Sequence, residues 1–143
     1  MNSNESARLL FQVGAAVYVV LGGAHLLVIS VDMVRPRFLT PRHDEVRQAM
    51  RDTGLALTDR MSMWRAWLGF NASHGLGVLF FGLVLFLIAA QDFDLVLTLR
   101  FLMPLAVSIS VALTLLSIRF WFYAPTIGCA IATACFAVSF ALI

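Results

Sequence analysis

Four runs of roughly twenty or more apolar residues, at about 9–31, 63–90, 97–120 and 125–143, fill most of this 143-residue chain. Each is as long as the about 20 residues a helix needs to cross a hydrocarbon core. The strict alternation of a barrel strand is absent from all four. Backbone N–H and C=O groups must be satisfied inside the segment that spans, so the helix is the only form open to these runs. Composition agrees: 61% of the chain is hydrophobic, 13% is charged, and the mean hydropathy is +0.90. A soluble domain is about half apolar and a quarter charged, and so small a chain cannot hide this excess inside itself. The sequence therefore predicts an all-α integral membrane protein: a single four-helix transmembrane domain over residues 1–143.

The segment ends carry consistent signals. Pro125 suits the first turn of the fourth helix, where a missing N–H costs nothing. Thr58 and Asp59 are candidate caps for the second, with Trp64 and Trp67 near the interface. Pro104 falls one turn inside the third, which predicts either a kink or a later helix start. The opening "MNSNESARLLFQ" has one base, Arg8, and no small-residue cleavage site follows at the short distance a signal peptide needs. The first apolar run is accordingly read as a retained span.

All ten basic residues are arginine, a usage that leans towards a GC-rich bacterial coding sequence. Their distribution matters more than their number. Arg35, Arg37, Arg42, Arg47, Arg51 and Arg60 lie between the first two spans, and Arg65 lies just inside the second. Arg119 lies at the third connection, on the same side. Only Arg8 and Arg100 lie opposite. Bases concentrate on the cytoplasmic side of a membrane protein. A multi-pass cell-membrane protein with connection 32–62 in the cytoplasm and both termini outside is expected. The net charge of +2, without a basic tract, gives no footing for nucleic acid.

Connection 32–62 contains "TPRHDEVRQAMRDTG", which reads as a short helix with Thr40 as cap, Pro41 in its first position and Gly54 as terminator. Val46, Ala49, Met50 and Leu57 fall near one face, so an amphipathic helix on the membrane surface is expected. A lid over an intramembrane site is the functional alternative.

Polar residues within the spans are the remaining signal. Place His74 at zero on a helical wheel, with about 100° per residue: Trp67 falls at about 20° and Asn71 at about 60°, on one face. Ala66, Ser73 and Gly77 form a second stripe, which reads as a close helix contact. On the first span, Gly14, Tyr18 and Asp32 fall within about 20° of His25, and Gly22 and Gly23 precede it. His25 lies about 9 Å and His74 about 16 Å from their loop ends at 1.5 Å per residue, in the same half of the bilayer. Ser110, Thr114 and Ser117 line the third span, and Thr126, Cys129 and Thr133 the fourth. Such hydroxyls commonly bond back to their own helix. Cys129 and Cys135 are about 120° apart on a helix and read as small buried hydrophobes.

A strongly polar group in the bilayer is costly unless it is paired. His25 and His74 have four readings: interhelical hydrogen bonds to Asn71, Tyr18 or a carbonyl; a ligand or headgroup site; a metal or haem; and proton transfer. Haem ligation by both histidines lacks a second pair and any CxxCH. An enzyme acting on a lipid or quinone could use His25, Asp32, Asn71 and His74 as a cluster near the interface, but no nucleophile motif or HExxH supports it. An ion-coupled transporter would want a deep Asp, Glu or Lys, and none is present. The Ala-rich face of "CAIATACFAVSFA" suits an accessory subunit packing against other membrane proteins.

The segments "GGAHLL" and "WRAWLGFNASHGLG" together resemble small bacterial four-span membrane proteins of unassigned function. The resemblance covers those two segments, and it implies a four-helix membrane domain with no activity to carry over. The reading that results is a small polytopic protein with a polar pocket between the first two helices. Tyr18, His25, Asn71 and His74 would line it, with Trp67 near its mouth, and it would bind a small amphipathic ligand, a lipid or a cofactor. The alternative is a non-catalytic accessory or structural subunit. A haem-binding electron-transfer protein and a lipid-directed enzyme stand behind these two.

Overall fold

The structure is a computed structural model and describes residues 2–143. The chain runs α1 (Ser3–Val34), α2 (Asp44–Asp52), β1 (Gly54–Leu55), β2 (Thr58–Ser62), α3 (Met63–Gln91), α4 (Phe93–Thr98), α5 (Leu102–Phe120) and α6 (Tyr123–Ala141). Four of these helices, α1, α3, α5 and α6, are long and apolar enough to cross a membrane. They coincide with the four runs read from the sequence. Their outward residues include Val20, Leu27, Phe80, Leu115 and Phe140, all exposed. Large apolar side chains turned outward on every span are what a lipid-facing surface requires.

The fold divides into two compact units, and α1 and α3 each contribute to both. The first unit comprises the chain up to Leu21 and Val78–Ile143. Its core is aromatic. Phe11 meets Phe136 at 5.0 Å and Phe93 at 6.2 Å, both edge-on. Tyr18 stacks on Phe136 at 6.3 Å and meets Phe81 edge-on at 5.3 Å. Small residues let the backbones approach: Ala7, Ala15, Ala89, Ala106 and Ala132 are fully buried. Gly14 belongs to this set, because a Cβ there would lie 3.2 Å from the Ala132 carbonyl oxygen.

Polar bonds tie this unit at its helix ends. The last carbonyls of a helix have no partner within it. At the end of α3, Arg8 donates to the Ala90 carbonyl at 2.9 Å and Gln12 Nε2 to the Ala89 carbonyl at 3.2 Å. Ser139 Oγ donates to the Ala7 carbonyl at 2.7 Å, within the core. The hydroxyl lines of α5 and α6 behave as the sequence implies. Thr114 bonds back to the Ser110 carbonyl at 2.9 Å and Thr133 to the Cys129 carbonyl at 2.8 Å. The two hydroxyls then meet across the helices at 2.9 Å. Both cysteines are free thiols.

The ends of the third and fourth spans sharpen the reading. Asp92 caps α4, its Oδ1 accepting from Leu95 N at 3.2 Å, and the chain then breaks before α5 starts at Leu102. The third span therefore begins later than residue 97, which puts Pro104 in the first turn of α5, where no intrahelical N–H is required. Pro125 likewise lies in the first turn of α6.

The second unit, Gly22–Gly77, carries the polar connection. Here several expectations fail. α2 starts at Asp44 with His43 in the cap position, not at Thr40 and Pro41. Gly54 does not terminate the helix in a left-handed turn; it pairs with Ser62 in a small antiparallel hairpin. Thr58 and Asp59 lie in that hairpin and do not cap α3. Ser62 stands before the helix instead, its Oγ accepting from Arg65 N at 3.4 Å. Runs as short as β1 and β2 carry no periodicity to find, so the hairpin has no signal in the sequence. The apolar side of α2 is uncovered by protein: Val46 is exposed, and Leu57, in the hairpin turn, is 92% exposed.

Candidate functional site

Four of the five residues singled out from the sequence, His25, Trp67, Asn71 and His74, lie in the second unit. The fifth, Tyr18, belongs to the first unit, where its ring packs between Phe81 and Phe136 and its hydroxyl lies near Ser110.

The imidazoles of His25 and His74 meet edge to face, ring centroids 5.4 Å apart and planes at 82°. Both side chains are half-buried. The 3.6-residue repeat explains the rest of the α3 face. Trp67, Asn71 and His74 are four and three residues apart and fall on one side of the helix. Phe70, four residues before His74, stacks on its ring at 6.2 Å with the planes at 13°. Sequence reasoning missed Phe70. Its i, i+4 spacing to His74 is the signal that marks it.

Asn71 is the most enclosed member, at 1% exposure. Its Nδ2 donates to the Trp67 carbonyl one turn back, at 2.9 Å. Its side chain meets His25, but its Oδ1 accepts no well-formed hydrogen bond. A buried amide oxygen left this way costs about 1–3 kcal/mol, so it is a group with capacity for a donor.

Gly75 closes the packing on His25. A Cβ at this position would lie 3.0 Å from His25 Cδ2 and 3.1 Å from Leu26 Cγ. The small residues expected to make this contact do not. Ser73 is exposed and donates to its own helix at the Phe70 carbonyl, 2.9 Å away. A Cβ at Gly77 or at Gly23 would meet nothing within 4 Å. The wheel drawn from sequence left two sides of α3 open to a neighbour, and packing chose the side of Gly75 and Asn71. The "GFNASHGLG" stretch thus splits by face: Asn71, His74 and Gly75 turn inward, while Gly69, Ser73 and Gly77 turn outward.

Asp32 has a different task from the one its place on the line of Tyr18 and His25 suggests. It is 1% exposed, and its carboxylate accepts backbone N–H bonds from Arg37 and Phe38 at 2.8 Å each and from Leu39 at 2.5 Å. Three charge-assisted bonds fold the chain just beyond α1 into a fixed turn. Trp67 Nε1 then donates to the Leu39 carbonyl at 2.8 Å, which fastens that turn to α3. Its oxygens are thus engaged by three backbone amides at the end of α1, a structural task.

No group of three His, Cys, Asp or Glu side chains able to hold a metal ion occurs among the described residues. The histidine pair as placed does not suit a haem either. The rings touch each other directly, and Gly75 lies against His25, so a planar macrocycle between them would have to part the two helices. Comparison of the chain with family models, curated proteins and solved structures finds no match.

Proposed function

We propose that this is a multi-pass membrane protein whose cluster of His25, Asn71 and His74, with Trp67 at its edge, binds the polar head of a small amphipathic molecule. The observation that carries this reading is the buried Asn71 Oδ1, which accepts no well-formed hydrogen bond and lies beside a half-buried imidazole pair. An amide acceptor next to two imidazoles offers both donors and acceptors to a hydroxyl, amide or carbonyl headgroup. Phe70, exposed and stacked on His74, would contact the apolar part of the same molecule. The cluster has no Ser or Cys set beside an imidazole as an activated nucleophile, so binding is favoured over catalysis.

A specific observation also favours the second reading, a non-catalytic accessory or structural subunit. Asn71 Nδ2 is bonded to its own helix, and Gly75 is pressed against His25. The first satisfies the amide without a ligand, and the second packs α3 against α1.

Mass spectrometry of small molecules retained by the detergent-purified protein separates the two. Binding predicts a retained amphiphile that is lost in His74→Leu and Asn71→Leu while the thermal transition stays in place. A protein that retains nothing, and whose variants melt earlier, is a structural subunit. The orientation we propose puts connection 32–62 in the cytoplasm, supported by the eight arginines on that side against two on the other.

A further inference from the structure

The second unit holds one more concave feature, away from the apolar faces. The end of α2, the β hairpin and the first turn of α3 enclose an open concavity of about 320 Å³. Three arginines line it, Arg51, Arg60 and Arg65, together with Asp52, Asp59 and Ser62. A volume of this order is at the lower end of small-molecule sites.

The arginines are all exposed, and none of their guanidinium groups has an ion-pair or hydrogen-bond partner among the described residues. The single ion pair among those residues is Arg47 with Asp44, at 2.8 Å. The two acids of the concavity form no ion pair with these arginines. Both Asp52 oxygens accept from Gln48 Nε2 at 3.1 Å. Asp59 turns its Oδ1 to Gly54, 3.6 Å from where a Cβ would stand. Three guanidinium forks thus share a concavity with two carboxylates, none of the three being ion-paired among the described residues. Guanidinium recognises phosphate through paired N–H donors, and it gives up water more readily than an ammonium. The concavity also lies where the chain enters the apolar α3, with Arg65 two residues inside that helix. This is the level at which phosphate groups of a bilayer stand.

We propose that Arg51, Arg60 and Arg65 form a binding site for a phosphate-bearing anion, supplied either by an anionic lipid headgroup or by a soluble phosphate. This site shares no residue with the histidine cluster, so it stands or falls separately from the function proposed above. Its affinity falls with added salt and survives the loss of His74.

The test uses the full chain in two arms. In the first, native mass spectrometry counts phosphatidylglycerol retained from nanodiscs of mixed phosphatidylglycerol and phosphatidylcholine. In the second, inorganic phosphate is titrated calorimetrically against the protein in nanodiscs of phosphatidylcholine alone. Arg60→Gln and Arg65→Gln are each expected to weaken binding about fivefold, and Arg51→Gln to do the same. The double variant Arg35→Gln/Arg42→Gln removes two charges of the same connection outside the concavity and should leave the affinity unchanged. All these side chains are exposed, and an unchanged thermal transition shows that each variant is folded. Preference for phosphatidylglycerol identifies a headgroup site, and binding of phosphate alone a soluble ligand. Binding in neither arm overturns the proposal. So does an equal loss in the control variant, which would mean general surface charge.

Discussion

Gly82 lies so close to Val19 that a Cβ on it would stand 2.6 Å from the Val19 backbone nitrogen and 2.8 Å from the Ala15 carbonyl oxygen. Both contacts are backbone, which cannot rotate away. At this point the α3 and α1 backbones are in contact, and only glycine permits it. Gly82→Ala is expected to lower stability by about 1–3 kcal/mol through overpacking. Gly77→Ala, in open space within the helix, should leave it unchanged or raise it by up to about 1 kcal/mol. Thermal melts of the two variants in one detergent check the contrast. Equal melts would show that the helices have room to shift at Gly82.

Replacing Asp32 by Ala removes the acceptor of three backbone N–H groups at once. A hydrogen bond to a charged group is worth about 1.5–3 kcal/mol, although freed loop amides recover part of this from water. The turn at 35–39 should open locally before the protein unfolds. Hydrogen exchange at Arg37, Phe38 and Leu39 is the measurement, and it should quicken by more than tenfold, since about 1.4 kcal/mol is a factor of ten. Exchange that stays slow would mean that the Trp67 bond to Leu39 holds the turn alone.

The Thr114–Thr133 contact at 2.9 Å gives a direct measure of polar gluing in the bundle. Each hydroxyl has one proton, so one donates across the pair while the other bonds back to its own helix, and either single change to Val leaves the remaining hydroxyl its helix carbonyl. A double-mutant cycle is expected to give a coupling of about 0.6 kcal/mol, and no more than about 1.7. A coupling indistinguishable from zero would assign the contact to proximity alone.

Orientation is checked by a single cysteine in α2. With Cys129 and Cys135 changed to Ala, Glu45→Cys places a thiol on an exposed face. A membrane-impermeant maleimide should leave it unlabelled in intact cells and label it in inverted vesicles. Labelling from outside would reverse the assignment made from the arginines.

The sequence alone determined the class of solvent, the number of spans and most of their ends. Twenty apolar residues in a row have one stable arrangement in lipid, because the backbone must satisfy itself locally. The inward line of Gly14, Tyr18, His25 and Asp32 was equally legible, since 3.6-residue periodicity belongs to the helix and needs no partner. Tertiary structure decided what each inward group meets. The wheel ranks faces but does not choose between two adjacent small-residue stripes, so packing made Gly75 and Gly82 the contact glycines and left Ser73 and Gly77 outside. Asp32 reads as a companion of His25 until the chain turns back and presents three amides to it. The hairpin that gathers Arg51, Arg60 and Arg65 has the same cause: its pairing joins residues that no local repeat connects, and pairing across a turn is a property of the folded backbone.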